Sequence, residues 1–151
     1  MATNKGYTVV ADPDTTAKAL SKEQPISPKL AREVACMVRG MTVSDARTAL
    51  EEVIDKERPV RMNRYNKRVA HKPGVGPGKY PVKVSKAVLA CLESAASNAD
   101  YKGLDSASMK ITTISVARGR VIPGHRPRAQ GRATEWNQDT VNIEIVISEV
   151  E

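Results

Sequence analysis

Apolar residues recur at helical spacing in three separate stretches of the chain, and this pattern predicts three amphipathic helices. Their apolar stripes are Leu30, Val34, Met37, Val38 and Met41; Val43, Ala46, Leu50, Val53 and Ile54; and Val84, Val88, Cys91, Leu92, Ala95 and Ala99. Ser27 and Pro28 suit the beginning of the first helix, and Gly40 its end. Thr42 and Asp45 fit a capping box for the second. Each stripe is most simply interpreted as core packing.

Shorter stretches have the composition of β-strands. Residues 7–10 (YTVV) are strand-like and precede a turn at residues 11–14 (ADPD). Residues 16–23 (TAKALSKE) fit either a helix or a strand. We favour a strand because the stretch is short and leads directly into a strong helix start. Residues 109–118 and 141–147 are rich in β-branched residues and flank an irregular segment, which predicts a hairpin.

The two arms of this hairpin differ in their pattern. Apolar positions alternate cleanly in residues 141–147, so one face of that arm should be buried against the helices. In the first arm the apolar phase changes between Ile111 and Ile114, which predicts a bulge or a strong twist. From residue 109 to a tip near residue 124, the arm would span about 50 Å, whereas a domain of this size has a diameter of about 30 Å. Part of the hairpin should therefore project.

These elements predict an α+β fold in which three helices pack on a small antiparallel sheet and a long β-hairpin projects from it. A chain of 151 residues fits a single domain. Its globular body would comprise about residues 1–108 and the C-terminal strand, and its extended hairpin about residues 109–149. The basic tip of that hairpin would lie at about residues 118–133.

The positive charge is concentrated in two windows of the sequence. Residues 58–83 and 118–132 together hold 13 of the 24 Lys and Arg residues and none of the 17 Asp and Glu residues. The rest of the chain therefore carries a net charge of −6, although the whole chain carries +7. A solvated basic face is the alternative for one such window, but two windows on an acidic body favour a surface that binds a polyanion.

The irregular sequence of both windows fits this interpretation. Residues 60–81 lack apolar periodicity and contain three prolines and three glycines, so we interpret them as a solvated loop that folds against an RNA backbone. A mobile linker is the alternative. Gly78 and Lys79 are followed by Tyr80 rather than by Ser or Thr, so the segment fits no Walker phosphate loop. Residues 119–133 contain no acid and few apolar residues, which favours a probe that becomes ordered inside nucleic acid.

Arginine is suited to phosphate because its planar guanidinium group donates two hydrogen bonds at once. The residues that we expect to contact RNA are Arg61, Arg64, Lys67, Arg68, His71, Lys72, Lys79, Arg118, Arg120, His125, Arg126, Arg128 and Arg132. Gly119, Gly124 and Gly131 should allow close approach of the backbone. Aromatic residues are scarce, with one Trp, four Tyr and no Phe, which argues against proteins that stack bases on aromatic platforms. RNA should then be recognised through phosphates and shape.

Cysteine and histidine give no sign of a metal site or cofactor. Cys36 and Cys91 each lie on the apolar side of a predicted helix, while His71 and His125 lie in the basic windows, a spacing that fits no zinc site. Buried reduced thiols in a cytosolic protein are the favoured interpretation, with a disulfide still open. The sequence contains no apolar run of membrane-spanning length and no signal peptide, so we expect no membrane partner.

Two other classes of function compete with RNA binding. A small hydrolase would need a convergent nucleophile, base or metal set, and the two histidines in basic loops offer none. A binder of double-stranded DNA could insert a basic β-ribbon into the major groove. Such a protein should purify with duplex DNA and be symmetric. We expect neither an enzyme nor a DNA-binding protein.

Specific motifs then indicate a family. Residues 126–133 (RPRAQGRA) resemble the PRAxGRA signature of the universal large-subunit ribosomal protein twenty-two family, and the strand at residues 140–149 (TVNIEIVISE) resembles its C-terminal strand. Residues 26–51 resemble its first two helices, and residues 85–105 its third. The segments ADPDTTAKA, HKPGVGPGKYP and Trp136-Asn137 are similar to the archaeal and eukaryotic branch. The resemblance covers nearly the whole chain.

The resemblance implies a structural, non-enzymatic protein of the large ribosomal subunit in the cytoplasm. Its hairpin would line the polypeptide exit tunnel and contact several domains of the large-subunit rRNA, while its body would lie near the tunnel exit. Neighbouring large-subunit proteins are further expected partners, and the nascent polypeptide is a candidate. The chain departs from the bacterial pattern at residues 119–127 and in its longer loop at residues 61–80, so individual contacts there do not carry over.

Overall fold

Three helices pack against a three-stranded antiparallel sheet in the structure, a computed structural model that describes residues 6–149. The helices are α1 (Pro28–Val38), α2 (Val43–Ile54) and α3 (Val82–Tyr101). The strands are β1 (Thr16–Gln24), β2 (Val60–Arg61), β3 (His71–Lys72), β4 (Gly76–Lys79), β5 (Lys110–Ile122), β6 (His125–Pro127), β7 (Ala133–Glu135) and β8 (Gln138–Ser148). The predicted α+β class is confirmed.

The C-terminal strand β8 lies at the centre of the main sheet, in the order β1-β8-β5. Both neighbours pair with it in antiparallel fashion, β1 from Thr16 opposite Ser148 onwards and β5 from Lys110 opposite Ser148 onwards. The strand that we favoured at residues 16–23 is thus confirmed as β1. The alternating Val141, Ile143, Ile145 and Ile147 are all fully buried, because their side chains pack into the helical core.

The signals at the helix ends act largely as the sequence predicts. Helix α1 begins at Pro28, although the side chain of Ser27 makes no capping hydrogen bond. The hydroxyl of Thr42 accepts a hydrogen bond from the backbone N–H of Asp45 at 3.2 Å, which caps α2. The buried stripes of all three helices join one apolar cluster with the main sheet. The core is therefore continuous from β1 to β8.

The bulge predicted in the first arm is confirmed, since the register between β5 and β8 shifts between Ile111 and Thr113. A second shift, between Arg118 and Val121, was not predicted. Beyond it the hairpin has left the body, because residues 120–139 are exposed apart from the half-buried Gly124. The turn lies at Ala129–Gly131, so the predicted tip near residue 124 is wrong: the strands pair again as β6 and β7 and lengthen the hairpin.

Three other expectations also need correction. Residues 60–81 are not a loop without secondary structure, since β2, β4 and β3 form a second antiparallel sheet in that order. The glycine-rich β4 pairs through its backbone and has no apolar alternation, so no strand pattern was visible. Residues 7–10 form no strand, although the turn after them is present. Cys36 is exposed rather than buried, because α1 turns Ala35 and Val38 toward the core instead.

Candidate nucleic-acid interface

The predicted RNA-contacting residues lie on two surfaces of the protein. We call residues 118–139, the projecting part of the hairpin, the distal ribbon, and residues 60–79, which contain β2, β3 and β4, the small sheet. The distal ribbon carries Arg118, Arg120, His125, Arg126, Arg128 and Arg132, and the small sheet carries Arg61, Arg64, Lys67, Arg68, His71, Lys72 and Lys79. Each basic window of the sequence therefore forms one separate surface of the protein.

All five arginines of the distal ribbon are exposed, and so is His125. Within residues 6–149 the salt bridges are Arg32 to Glu33 and Arg58 to Glu52, and neither involves a ribbon arginine. A guanidinium group without a nearby carboxylate keeps its donors available for another anion. The ribbon therefore presents to solvent five arginines that make no salt bridge within the described residues.

The bulge at the base of the ribbon depends on Gly119. Two residues of β5, Gly119 and Arg120, lie opposite the single residue Thr140 of β8. The buried Thr140 hydroxyl donates a hydrogen bond to the carbonyl oxygen of Arg120. A Cβ atom at position 119 would lie only 2.5 Å from Thr140 Oγ1, so no larger residue fits without movement. Gly119 thus allows the backbone to approach another group closely, but in the structure that group is Thr140 of the paired strand β8.

Further along the hairpin, an unpaired segment that we call the joint separates the pairing of β5 with β8 from the pairing of β6 with β7. It consists of residues 123–124 on one strand and 136–137 on the other. The N–H of Trp136 donates to the carbonyl of Gly124 at 2.7 Å, and the N–H of Gly124 donates to Asn137 Oδ1 at 3.4 Å. A Cβ atom at Gly124 would lie 2.6 Å from the Trp136 carbonyl oxygen, so glycine is required here too.

The tip of the ribbon is a tight turn between Arg128 and Arg132. The N–H of Arg128 donates to the carbonyl of Arg132 at 2.8 Å, and Gln130 and Gly131 both adopt positive φ, at 60° and 65°. Gly131 thus serves the turn itself, with open space around its Cα. Arg128 Nε donates to the hydroxyl of Thr134 at 2.9 Å, which orients that guanidinium along the ribbon.

On the small sheet, the basic residues of β2 and β3 lie on either side of the central strand β4. Arg61 lies opposite Gly78, His71 opposite Pro77, and Lys72 opposite Gly76. Arg64, Lys67 and Arg68 lie on the segment between β2 and β3, and all the basic side chains of this surface are exposed except the half-buried Lys72. The Lys72 ammonium lies 5.3 Å from the centre of the Tyr80 ring. These residues form a second basic surface, supported by the buried Val60 and Met62.

Sequence reasoning missed the residue that holds the small sheet against the body. Glu33 of α1 is buried, and its carboxylate accepts hydrogen bonds from the backbone N–H groups of Asn63 at 3.0 Å and Arg64 at 3.3 Å. The neighbouring Tyr65 has a positive φ of 58°, and its exposed ring lies 4.9 Å from the ammonium of Lys29. The sequence did contain a signal for this role, because Glu33 lies three residues after Leu30 and therefore beside the apolar stripe of α1.

Trp136 and Asn137 were noticed only as marks of a family branch. The structure shows that both belong to the joint and that Trp136 is exposed, with the Arg126 guanidinium carbon 5.1 Å from its ring centre. Their position could not be read from the sequence, because the joint exists only once the two strands are paired.

The cysteines and other potential metal ligands were also located in the structure. Burial raises the pKa of the Cys91 thiol to about 11, and both cysteines are free thiols, which removes the disulfide alternative. In the part of the chain from residue 6 to residue 149, no group of three or more His, Cys, Asp or Glu residues could hold a metal ion. No helix in the same range is both long and apolar enough to cross a membrane.

Comparison with known families gives a match over most of the chain. The sequence model of the family described as ribosomal protein L22p/L17e matches residues 19–148. This range includes all three helices, the small sheet, the entire distal ribbon and all of the main sheet except the first three residues of β1. The match therefore covers every residue expected to contact RNA.

Archaeal relatives agree with this match. The large ribosomal subunit protein uL22 of Methanocella arvoryzae is 47% identical over 148 residues, covering 96% of this chain and 97% of the relative. That of Methanococcoides burtonii is 46% identical over 145 residues, covering 95% of this chain and 96% of the relative. That of Haloarcula marismortui is 40% identical over 148 residues, covering 96% of each chain. The resemblance to the archaeal branch is thereby confirmed.

Proposed function

The chain belongs to the ribosomal protein L22p/L17e family, and from that premise we propose that it is a structural constituent of the large ribosomal subunit that binds large-subunit rRNA. The distal ribbon would enter the RNA and the small sheet would bind to its surface. The function requires binding and no catalysis. It would be exercised in the ribosomes of the cytoplasm, by residues 1–151 acting as a single rRNA-binding domain.

One observation carries this proposal. The five arginines of the distal ribbon are exposed, and none makes a salt bridge within the described residues 6–149. A two-stranded ribbon without a core gains little stability from its own packing, so a role in a free monomer does not explain it. Phosphates crowded between RNA strands are the anions that such a row of guanidinium groups would neutralise.

Family membership supports a more specific proposal about position in the subunit. We propose that the distal ribbon lines the polypeptide exit tunnel and that the body lies near the tunnel exit, beside neighbouring large-subunit proteins. The tip at Arg128 to Arg132 would be the part that reaches furthest into the tunnel wall, where the nascent polypeptide becomes a candidate partner. Arg61, Arg64, Lys67, Arg68, His71, Lys72 and Lys79 would hold the small sheet on rRNA at the body.

Salt dependence of rRNA affinity tests the phosphate contacts. Because each neutralised phosphate releases counterions, the logarithm of the binding constant should fall linearly with the logarithm of salt concentration. Arg126→Gln and Arg128→Gln should each reduce the slope by about 0.7 to 0.9. Arg47→Gln is the matched control, because Arg47 is equally exposed but lies on α2, outside both surfaces.

A flat salt response of the unmodified protein would contradict the phosphate proposal. Sedimentation separates it from the DNA-binding alternative. The tagged protein should travel with large ribosomal subunits in a sucrose gradient of a cell extract, and nuclease that degrades only DNA should leave it there. Release by that nuclease would favour the alternative.

A further inference from the structure

Trp136 is unusual in this chain because it is the single tryptophan of a sequence with few aromatic residues and is nevertheless 63% exposed. An indole normally contributes stability through burial of its large apolar surface. Val121 and Ile122 of the same ribbon are also partly exposed, at 47% and 43%. Exposed apolar surface beside a polar rim is typical of an interaction site.

The joint holds the backbone of Trp136 in place. Its N–H donates to the carbonyl of Gly124 at 2.7 Å, and its own carbonyl oxygen fills the space where a Cβ of residue 124 would be. Asn137 accepts a hydrogen bond from Gly124 and donates one from its side-chain amide to Glu135 at 3.3 Å. These hydrogen bonds fix the backbone that carries the indole. Binding of a partner there would therefore cost the protein less conformational entropy.

Arg126 lies against the same ring. The distance of 5.1 Å between its guanidinium carbon and the ring centre is within the range of a cation–π contact. The guanidinium lies over the indole ring, and the 63% exposure of Trp136 leaves further ring surface accessible. An apolar aromatic surface and a phosphate-binding group are therefore adjacent.

We propose that Trp136 and Arg126 form a stacking site for one unpaired RNA base. The base would stack on the exposed indole, and the guanidinium would pair with a phosphate of the same strand. Stacking on aromatic side chains is how proteins bind bases that have left a duplex. The proposal rests on the proposed rRNA-binding function and revises one expectation, since phosphates and shape would no longer be the only features recognised.

RNA is favoured over a peptide as the occupant because of the surrounding charge. Arg126 and Arg128 lie on one strand near the joint and Glu135 lies on the other, opposite His125, so the charge around Trp136 is net positive. A polyanion with flat aromatic groups matches both properties of the site, whereas an uncharged peptide would match only the apolar one.

The single tryptophan allows a direct measurement. Emission of Trp136 is recorded while deproteinised large-subunit rRNA from Methanocella arvoryzae is added, and in parallel a fully paired RNA duplex at equal phosphate concentration. Stacking of a base quenches indole emission, so rRNA should quench it and the duplex should bind without doing so. Quenching to the same extent by the duplex would contradict the proposal, because a duplex offers no unpaired base.

Affinity measurements on variants complete the test. Trp136→Leu should weaken rRNA binding by about 5- to 100-fold, while Trp136→Tyr retains most of the affinity. Both variants should keep the salt slope of the unmodified protein and its affinity for the duplex. Tyr101→Leu is the matched control, because Tyr101 is 94% exposed at the end of α3, outside both basic surfaces. It should bind rRNA normally, and circular dichroism verifies that each variant is folded.

The outcomes separate the two proposals. If Trp136→Leu binds rRNA as tightly as the unmodified protein, the stacking site is wrong, while a steep salt dependence would leave the phosphate contacts intact. If the unmodified protein binds rRNA without salt dependence, the phosphate proposal fails. In that case the stacking site has a separate test. Oligoadenylate, a single-stranded RNA with unpaired bases, should compete with rRNA and reverse the quenching of Trp136, and failure to do so would contradict stacking.

Discussion

A carboxylate buried beside an apolar helix stripe requires hydrogen-bond donors, and Glu33 finds them in the first basic window. Both of its oxygens accept backbone N–H groups, at Asn63 and Arg64. One negative charge inside the protein thereby fixes the segment that carries Arg61, Arg64 and Lys67 on its surface. Glu33 would act on RNA binding through the position of the small sheet and without contacting RNA itself.

Replacement of this carboxylate should therefore weaken both the fold and the interface. In Glu33→Gln the side-chain amide can accept only one of the two N–H groups, and its own NH₂ would meet the other donor. We expect the free energy of unfolding to fall by about 2 to 3 kcal/mol, the range for hydrogen bonds to a charged group. Urea denaturation measures it, with the exposed Glu51→Gln as control. Equal midpoints for the two variants would show that the contact contributes nothing.

The two cysteines differ in environment, and their reactivity should differ accordingly. Desolvation raises the pKa of Cys91 to about 11, so very little thiolate is present at pH 8, while its Sγ donates to the Ile143 carbonyl at 3.8 Å. Cys36 is exposed. At pH 8 a thiol reagent should modify one cysteine rapidly and the second only after denaturation, and Cys36→Ala should abolish the rapid phase. Two rapid phases would contradict the buried position of Cys91.

The same shift predicts a dependence of stability on pH. Because the folded pKa lies above the ordinary thiol value of 9.0, the folded state retains its proton where the unfolded state has lost it. The contribution of Cys91 to the free energy of unfolding is fully present below pH 9 and is lost as the pH rises toward 11. Burial of Cys91 is thus compatible with the fold at neutral pH.

At the scale of elements, the hairpin shows which irregularities a sequence reveals. The bulge near Ile111 was predictable because it changes the apolar phase within one strand. The bulge at Gly119 depends on a fit between that glycine and Thr140 of the opposite strand, and the joint depends in the same way on Gly124 and Trp136. Such fits between distant residues leave no mark in either strand alone.

The fit at the second bulge predicts strong coupling between two substitutions. Gly119→Ala places a methyl group 2.5 Å from Thr140 Oγ1, and we expect it to destabilise the fold by about 1 to 3 kcal/mol. Thr140→Ala removes that oxygen, so Gly119→Ala should be less harmful in its presence. A double-mutant cycle measured by denaturation should give a favourable coupling of about 1 kcal/mol. Strictly additive effects would mean that the clash is relieved in some other way.

At the scale of the whole molecule, charge was more predictable than architecture. The two basic windows are linear features, so their composition could be read directly, and each became one exposed surface. The pairing of β4 with β2 and β3 could not be predicted, because Gly76–Lys79 pairs through its backbone and its side chains show no strand pattern. The helices and the central strand were predictable because periodic apolar residues form the core.

The two basic surfaces should consequently differ in local stability before RNA is bound. The small sheet is tied to the body by Glu33 and by the buried Val60 and Met62, whereas the distal ribbon is held by its own strand pairing and by contacts among its exposed side chains. Local opening requires little free energy where few apolar contacts are lost. In native-state hydrogen exchange of the free protein, amides of β8 at Ile143 to Ile147 should be most protected, those of the small sheet intermediate, and those of the ribbon least protected.

Binding of rRNA should reverse the last part of that order. If phosphates hold the ribbon arginines, opening of the ribbon must break those contacts as well, and the amides of β6 and β7 should then exchange more slowly than those of the small sheet do in the free protein. The exchange of β8 should hardly change, since the core already limits it. A ribbon that is as protected as β8 without RNA would mean that its order arises from the protein alone, and the view that RNA stabilises it would have to be abandoned.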